Sequence, residues 1–280
     1  MTFPIQAASC KRSKTYLLDM TNQFWGQRSF CLLTGASQGI GQSFAVEFAH
    51  RFAAGSHMVL LARSQVGLNQ TKELINASNP NVTVQVHSVD LSQSDKAVFK
   101  AILQSDDFKD KNFDLAMLVH NAGSIGRVDQ LASDIDDPQE WNRYMSLNLY
   151  HVTALTAEFL RRFTSGHRCI INVTSLCAVK PFKSMGYYCV GKAAREMYFK
   201  VLATENSELD VLNYSPGPVD TEMVADLINT VQDSETKFQF TAIRDSKSLV
   251  TTEQTTQKLA ALLTSHKYKS GGRFDYYDPL

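Results

Sequence analysis

The chain is 280 residues long, 44% hydrophobic and 20% charged, an ordinary globular composition with length for one large α/β domain or two small ones. Its 28 Lys and Arg balance 28 Asp and Glu, which excludes a global field drawing it to nucleic acid or an anionic membrane. Its longest apolar runs, such as CLLTGA and MVLLA, fall far short of the ~20 residues that span a bilayer.

Residues 1–27 (MTFPIQAASCKRSKTYLLDMTNQFWGQ) precede the first strong pattern and carry Lys11, Arg12 and Lys14, but no apolar run of the signal-peptide kind. They read as a flexible extension rather than a transit peptide, with a single domain over 28–280. From residue 29 the pattern settles. SFCLLT (29–34) is a first buried strand, followed by GASQGIG and the helical-period segment QSFAVEFAHRFAA. HMVLLA (57–62) is a second strand, with a helix near 65–77; VTVQVHSV (82–89) is a third, with a helix near 93–105. DLAMLVH (114–120) is a fourth strand, and one long helix is expected around 139–163. CIINVT (169–174) is a fifth strand, followed by a helix containing YYCVGK, and DVLNYS (210–215) is a sixth. Residues 222–252 are the least regular; a helix over 253–264 and a strand RFDYYD (273–278) close the chain. Strands alternating with helices predict an α/β fold: a doubly wound, Rossmann-type parallel sheet of about seven strands, with helices on both faces.

The five cysteines (Cys10, Cys31, Cys169, Cys177, Cys189) show no CxxC or CxxH spacing, which argues against structural zinc or another metal. An odd count in a chain able to bury its own core fits reduced thiols in the cytoplasm. Asn81 and Asn172 match glycosylation sequons, but without a secretory signal both read as strand residues.

After the first strand comes Thr34-Gly35-Ala36-Ser37-Gln38-Gly39-Ile40-Gly41. Glycines permit a tight turn and let backbone N–H groups approach a phosphate, while the next helix aims its positive end at a pyrophosphate. The spacing is GxxxGxG rather than GxGxxG, but its place between strand and helix points to a dinucleotide held by Gly35, Ser37, Gln38, Gly39, Ile40 and Gly41. The second strand ends in LLARS, with Arg63 and Ser64 where an NAD site places an acid. A guanidinium there suits the 2′-phosphate of NADPH/NADP+; the plain alternative is a solvated arginine. Asp90 and Leu91, after the third strand, are placed to meet the adenine, and Asn121, Ala122 and Gly123, after the fourth, to pass under the cofactor.

Ser175 ends the fifth strand, and Tyr188 follows 13 residues later. Residues four apart share a helix face, so Tyr188 meets Lys192, whereas Tyr187 is turned roughly 140° away. A phenol has an ordinary pKa of about 10. A nearby ammonium is expected to lower it, so that Tyr188 can exchange a proton with a reacting oxygen that Ser175 orients. Tyr187 reads as packing or a pocket wall, and Cys177 and Cys189 as buried, unreactive thiols, with an oxidation that slows turnover as the alternative.

The set TGASQGIG, NAG, Ser175 and YCVGK resembles the short-chain dehydrogenase/reductase family over nearly everything from residue 29 onward. The resemblance implies a catalytic Ser175, Tyr188 and Lys192, with Asn148 of SLNLY completing a proton relay. His120 replaces the first Asn of the family's NNAG. The PG segment, with Gly217, Val219 and Thr221, together with Met223, is expected to close over the nicotinamide, and the stretch after Met223 to act as a flap. The family also implies a homodimer, with the 139–163 helix and the YYCVGK helix as interface elements.

TSLCAVKPFKSMGYYCVGKAAREMYFKVLATE, VLNYSPGPVDTEM and KSGGRFDYYD resemble, more narrowly, the pterin-reducing members of that family. The implied reaction is NADPH-dependent reduction of the side-chain carbonyls of 6-pyruvoyl-tetrahydropterin, giving tetrahydrobiopterin, with sepiapterin as an alternative substrate. The implied substrate contacts are Ser175, Leu176, Tyr188, Gly217 and Asp275, the last anchoring the pterin ring. One carboxylate can accept the N3–H and 2-amino donors of a pterin in two parallel bonds; the plain alternative is an exposed acid on an edge strand. Such members often carry a basic residue where Gln38 stands, which leaves Arg63 to recognise a 2′-phosphate. Competing readings are a general NADPH-dependent diketone reductase, for which Asp275 is dispensable, and a non-catalytic NADP-binding regulator.

Overall fold

A computed structural model of the chain describes residues 24–93 and 95–280. Its described strands form one seven-stranded sheet in the order β3-β2-β1-β4-β5-β6-β7, all parallel. The strands are β1 (Ser29–Thr34), β2 (His57–Ala62), β3 (Thr83–Ser88), β4 (Leu115–His120), β5 (His167–Val173), β6 (Leu209–Ser215) and β7 (Arg273–Asp275). β1, β2 and β4 are buried along their whole length, as expected for parallel strands covered on both faces.

Alternation along β1 assigns the two faces. Cys31 and Leu33 join a core with Phe44, Phe48, Leu259 and Leu262, beneath α1 (Gly39–Arg51) and α9 (Thr252–Ser265). Phe30 and Leu32 join the opposite core with Phe99, Phe159 and Phe199, beneath α3 (Lys96–Leu103), α5 (His151–Arg162) and α6 (Gly186–Glu205). The remaining helices are α2 (Gln65–Ser78), α4 (Pro138–Met145), α7 (Glu222–Thr230) and α8 (Ser234–Asp245). Strand order reverses between β1 and β4, the point at which such sheets open a binding crevice.

Several sequence expectations need correction. The long helix expected over 139–163 is borne out from Pro138 to Arg162, but its middle, Ser146–Tyr150, widens into a π-type turn between α4 and α5. The irregular stretch 222–252 contains α7 and α8. The last strand stops at Asp275, and Tyr276–Asp278 turn back, with the Asp278 N–H donating to the Asp275 carbonyl at 2.9 Å. α1 starts at Gly39, so two of the motif glycines belong to the helix. Asn172 lies in β5, whereas Asn81 precedes β3.

The boundary at residue 28 also moves. Phe24 and Trp25, assigned to the flexible extension, are buried in the core. The Trp25 indole lies 5.2 Å from the Phe48 ring, and its Nε1 donates to Ala260 O (3.2 Å) and Thr264 Oγ1 (3.0 Å) on α9. Residues 1–23, with Cys10 and the three basic side chains, lie outside the described residues.

Candidate active site

The C-terminal ends of β1 and β4 sit side by side, Thr34 opposite His120 in the register, so the glycine turn and the Asn121–Gly123 turn start together. Thr34 Oγ1 accepts the backbone N–H of Asn121 and of Ala122, each at 3.1 Å. Asn121 Nδ2 donates to the carbonyls of Thr34 (3.2 Å) and Gly35 (3.1 Å). Asn121 thus ties the two turns together. Gly35 has φ of +71°, the left-handed region where a side chain is strained. A Cβ on Gly41 would collide with the Gly35 carbonyl. The turn therefore admits only glycine at these points, forming a shallow cradle at the N-terminus of α1. Ser37 and Gly39 are partly exposed on its rim, where backbone N–H groups at a helix start suit a pyrophosphate.

Around this cradle, Arg63 is exposed and Ser64 caps α2, accepting the Gly67 N–H at 3.1 Å. Asp90 lies two residues beyond β3 and accepts from the Ser92 hydroxyl (2.7 Å) and N–H (3.0 Å). Those bonds, with the Arg63 charge adding to them, hold its carboxyl below the usual range. Leu91 is buried in the core shared with Phe99. Gln38 Nε2 donates to Glu222 Oε2 at 2.7 Å, linking the cradle to the start of α7.

From the cradle a cavity of about 390 Å³ runs along the strand ends to Asp275. Ile40, Asn121, Gly123, Ser175, Leu176, Tyr188, Lys192, Gly217, Val219, Thr221, Met223 and Asp275 all line it. Its far wall is apolar, from Phe182 and Met185 before α6 and Leu227, Phe240 and Ile243 on α7 and α8. The Pro216–Thr221 segment is fixed by a parallel bridge between Val219 and Val250. A nicotinamide dinucleotide fits this arrangement, with a cradle that a Cβ would fill at one end and a cavity meeting polar side chains at the other.

Tyr188 and Lys192 share a face of α6, as their spacing demands. Lys192 is buried, lies 5.5 Å from the Tyr188 ring centre, and donates to Val173 O at 2.8 Å. The expected lowering of the Tyr188 pKa is reversed in the protein alone. Burial and the neighbouring Cys177 push the phenol up, against a hydrogen bond with Ser175 and the Arg195 charge that pull it down. Lys192 is itself pushed well below its ordinary value by burial and by Arg195. Tyr188 is consequently held as a protonated donor.

Asn148 sits in the π-type turn, buried, where its Oδ1 accepts the Ser124 N–H (3.0 Å) and its Nδ2 donates to Tyr144 O (2.9 Å). A Cβ on Gly123 would lie 3.0 Å from Asn148 Oδ1 and 4.0 Å from Lys192 Nζ, so both groups flank that glycine. Tyr187 packs against Trp141 (4.4 Å between ring centres) and Tyr144 (5.4 Å), which makes it a packing residue. Cys177 lines the cavity, and a hydrogen bond with Cys189 together with burial raises its pKa. The same bond acts in the opposite sense on the half-buried Cys189 thiol, holding it below the ordinary value.

Three residues escaped the sequence reading. Arg195, fully buried, donates from Nη2 to His120 O (2.9 Å), from Nη1 to Ala122 O (2.9 Å) and from Nε to Asn172 Oδ1 (3.1 Å), locking α6 to the ends of β4 and β5. Glu196 and Arg273 brace the other side of Ser175. The signal was present only as charges in YYCVGKAARE and SGGRFD; their partners lie on other strands.

Comparison with known proteins agrees with this geometry. The short chain dehydrogenase family model matches residues 29–232. Sepiapterin reductase of Meriones unguiculatus is 36% identical over 253 residues, 89% of this chain and 96% of that protein. That of Bos taurus is 35% identical, over 90% and 95% respectively. A benzil reductase, (S)-benzoin forming, of Bacillus subtilis is 28% identical over 69% of this chain and 76% of its own. Among solved structures, the KRED1-Pglu enzyme superposes with a TM-score of 0.75 at 23% identity, covering 88% of this chain and 100% of that one. A short chain dehydrogenase from Shigella flexneri complexed with NADP does so at 0.73 and 24%, covering 91% and 100%. The chain belongs to the short-chain dehydrogenase/reductase family, as an oxidoreductase of the carbonyl–alcohol pair that uses a nicotinamide cofactor and resembles the sepiapterin reductases.

Proposed function

We propose that the protein is an NADPH-dependent reductase of pterin side-chain carbonyls, with 6-pyruvoyl-tetrahydropterin and sepiapterin as its substrate class, acting in tetrahydrobiopterin formation. The observation that carries this reading is one cavity lined by Ser175 and Tyr188 together with the Asp275 carboxylate. Its volume of about 390 Å³ lies within the range of ligand pockets. Asp275 accepts the paired donors of the pterin ring and so fixes where the side-chain carbonyl lies. Ser175 orients the carbonyl oxygen by a hydrogen bond, and Tyr188 donates its proton to that oxygen. The bound dinucleotide supplies the hydride. Lys192, held by Val173 O, stays beside Tyr188 and restores its proton with the help of Asn148. Gly35, Ser37, Gln38, Gly39, Ile40 and Gly41 hold the pyrophosphate, and Arg63 with Ser64 takes the 2′-phosphate, since a guanidinium favours NADPH over NADH.

A diketone reductase is the second reading, favoured by the apolar far wall and by the benzil reductase relatives. The test is NADPH consumption with sepiapterin and with benzil, for wild type, Tyr188→Phe and Asp275→Asn. The pterin reading expects turnover of sepiapterin that collapses in Tyr188→Phe, and a raised KM in Asp275→Asn. A wild type that ignores sepiapterin but reduces benzil overturns it.

We further propose a cytoplasmic homodimer built through α5 and α6. Val190, Met197 and Val201 are exposed along one stripe of α6 and would be covered by a second copy. Sedimentation showing only monomer rejects this.

A further inference from the structure

Arg273 and Asp275 are two residues apart on β7, so both side chains leave the same face of the sheet. The Arg273 guanidinium spans two parts of the cavity wall. Its Nη1 donates to the carbonyl of Ser175 at 2.6 Å, and its Nη2 to Asp275 Oδ2 at 3.0 Å. A third partner lies on α6. Glu196, 2% exposed, receives Arg273 Nη1 (3.2 Å) and the hydroxyl of Thr174 (2.9 Å) on Oε2, and pairs with Lys200 through Oε1 (2.8 Å). A carboxylate so buried is costly unless paired, and Arg273 with Lys200 supplies the compensation. One planar fork therefore ties together Ser175, the Asp275 carboxylate and the helix that carries Tyr188 and Lys192.

Asp275 keeps acceptor capacity beyond this brace. A carboxylate offers about four acceptor sites. Arg273 takes one on Oδ2, and the Tyr277 N–H takes one on Oδ1 at 3.3 Å. Both oxygens can still accept from a ligand.

We infer that Arg273 is a positioning residue that fixes the Asp275 carboxylate relative to Ser175, and thereby sets how a substrate anchored at Asp275 presents its carbonyl to Ser175. This rests on the reading that Asp275 accepts the pterin ring. Losing the fork frees the Asp275 carboxylate, which raises the KM of a substrate anchored there. It also loosens the Ser175 carbonyl, which lowers kcat for every substrate. A diketone without N–H donors feels only the second effect.

The experiment measures kcat and KM with sepiapterin and with benzil for Arg273→Met, Arg273→Lys and Asp275→Asn, for Asp275→Asn with Arg273→Met added, and for the double variant Arg273→Met/Glu196→Gln. The double variant removes the Glu196 charge together with its Arg273 partner, so it is the one expected to retain folding. In it the sepiapterin KM rises about tenfold, the size of one lost charge-assisted hydrogen bond. Its benzil KM stays within about twofold while kcat falls for both substrates. Arg273→Lys keeps the charge and the melting temperature but does not restore the sepiapterin KM, because an ammonium has no fork. Adding Arg273→Met to Asp275→Asn raises the sepiapterin KM no further. A double variant, folded by circular dichroism, with wild-type constants overturns the inference, as do additive KM effects of the Arg273 and Asp275 substitutions. If Asp275→Asn alone leaves the sepiapterin KM unchanged, the pterin anchor falls and with it the KM half of the inference. A lowered benzil kcat in the double variant then still supports Arg273 as the brace of Ser175.

Discussion

Replacing Gly67 by alanine separates helix propensity from packing against the phosphate cradle. Gly67 is buried in the first turn of α2 and lies outside the glycine motif. In an exposed helix, Gly→Ala is worth about 1 kcal/mol of stabilisation. Here a Cβ would lie 2.6 Å from the carbonyl oxygen of Ser37 and 2.9 Å from its Cβ. The first distance is 0.8 Å short of the 3.4 Å at which ordinary contact begins (3.4 − 2.6). The obstacle is backbone, so the cradle must move rather than a side chain rotate. Overpacking of this kind costs about 1–3 kcal/mol, which exceeds the propensity gain. Against that gain, the expected result is a net loss of up to about 2 kcal/mol, seen as a melting temperature lower by up to roughly 6 °C. Because the displaced segment is the cradle, NADPH affinity should fall by about tenfold, measured by titrating cofactor fluorescence. A Gly67→Ala protein that melts higher than wild type and binds NADPH unchanged refutes the close approach of α2 to Ser37.

Three further predictions follow from separate parts of the molecule. Trp25→Ala removes an indole enclosed by Phe24, Phe48 and Phe52 together with its bonds to α9, and should cost about 3–5 kcal/mol in denaturant unfolding; a cost under about 1 kcal/mol means the segment is not docked. Arg63→Ala should raise the KM for NADPH ten- to a hundredfold, on the scale of a charge-assisted hydrogen bond, and leave that for NADH unchanged; equal effects on both cofactors remove Arg63 from 2′-phosphate recognition. His57, His87, His120 and His151 are all lowered, first by burial, with His151 at about 3. Neutral in the native state, they contribute stability fully above the unfolded pKa of about 6.5, lost as pH falls toward the folded values. Unfolding free energy should drop steadily from about pH 6.5 toward 3, and His151→Phe should flatten the curve; an unchanged slope assigns the loss to the carboxylates instead.

The strands were legible because β1, β2 and β4 are runs of mainly apolar residues bounded by turn residues, β5 and β6 carry apolar cores and β3 alternates, and β1 to β6 lie within a residue or two of the expected spans. The π-type widening between α4 and α5 was not, since apolar residues recur at helical spacing through SLNLYHV without glycine or proline; the extra residue of that turn shows only in the hydrogen bonds. α7 and α8 were missed for another reason. Their apolar side chains, Leu227 and Phe240 among them, face the cavity and a small satellite cluster rather than the main core, and α7, at nine residues, is too short for its stripe to stand out. Asp233, which caps α8 by accepting the Thr236 N–H at 2.8 Å, was a signal that could have been read. Ser175, Tyr188, Lys192 and the glycines were readable because local spacing brings each to its place. Arg195 and Arg273 bond to carbonyls more than 70 positions away in the chain, a pairing no local pattern encodes.

The acid proposed to recognise substrate rides on β7, a three-residue strand that among the described residues has β6 as its one neighbour in the sheet, whereas Ser175 follows a seven-residue strand paired on both sides. Local opening is easiest where few ladder bonds must break. Amide exchange at Phe274 and Asp275 should therefore outpace that at Ile170 and Ile171 by orders of magnitude. Fraying of this edge would then loosen the grip on substrate while leaving the proton-transfer machinery assembled, so that warming or mild denaturant would erode selectivity before it erodes turnover.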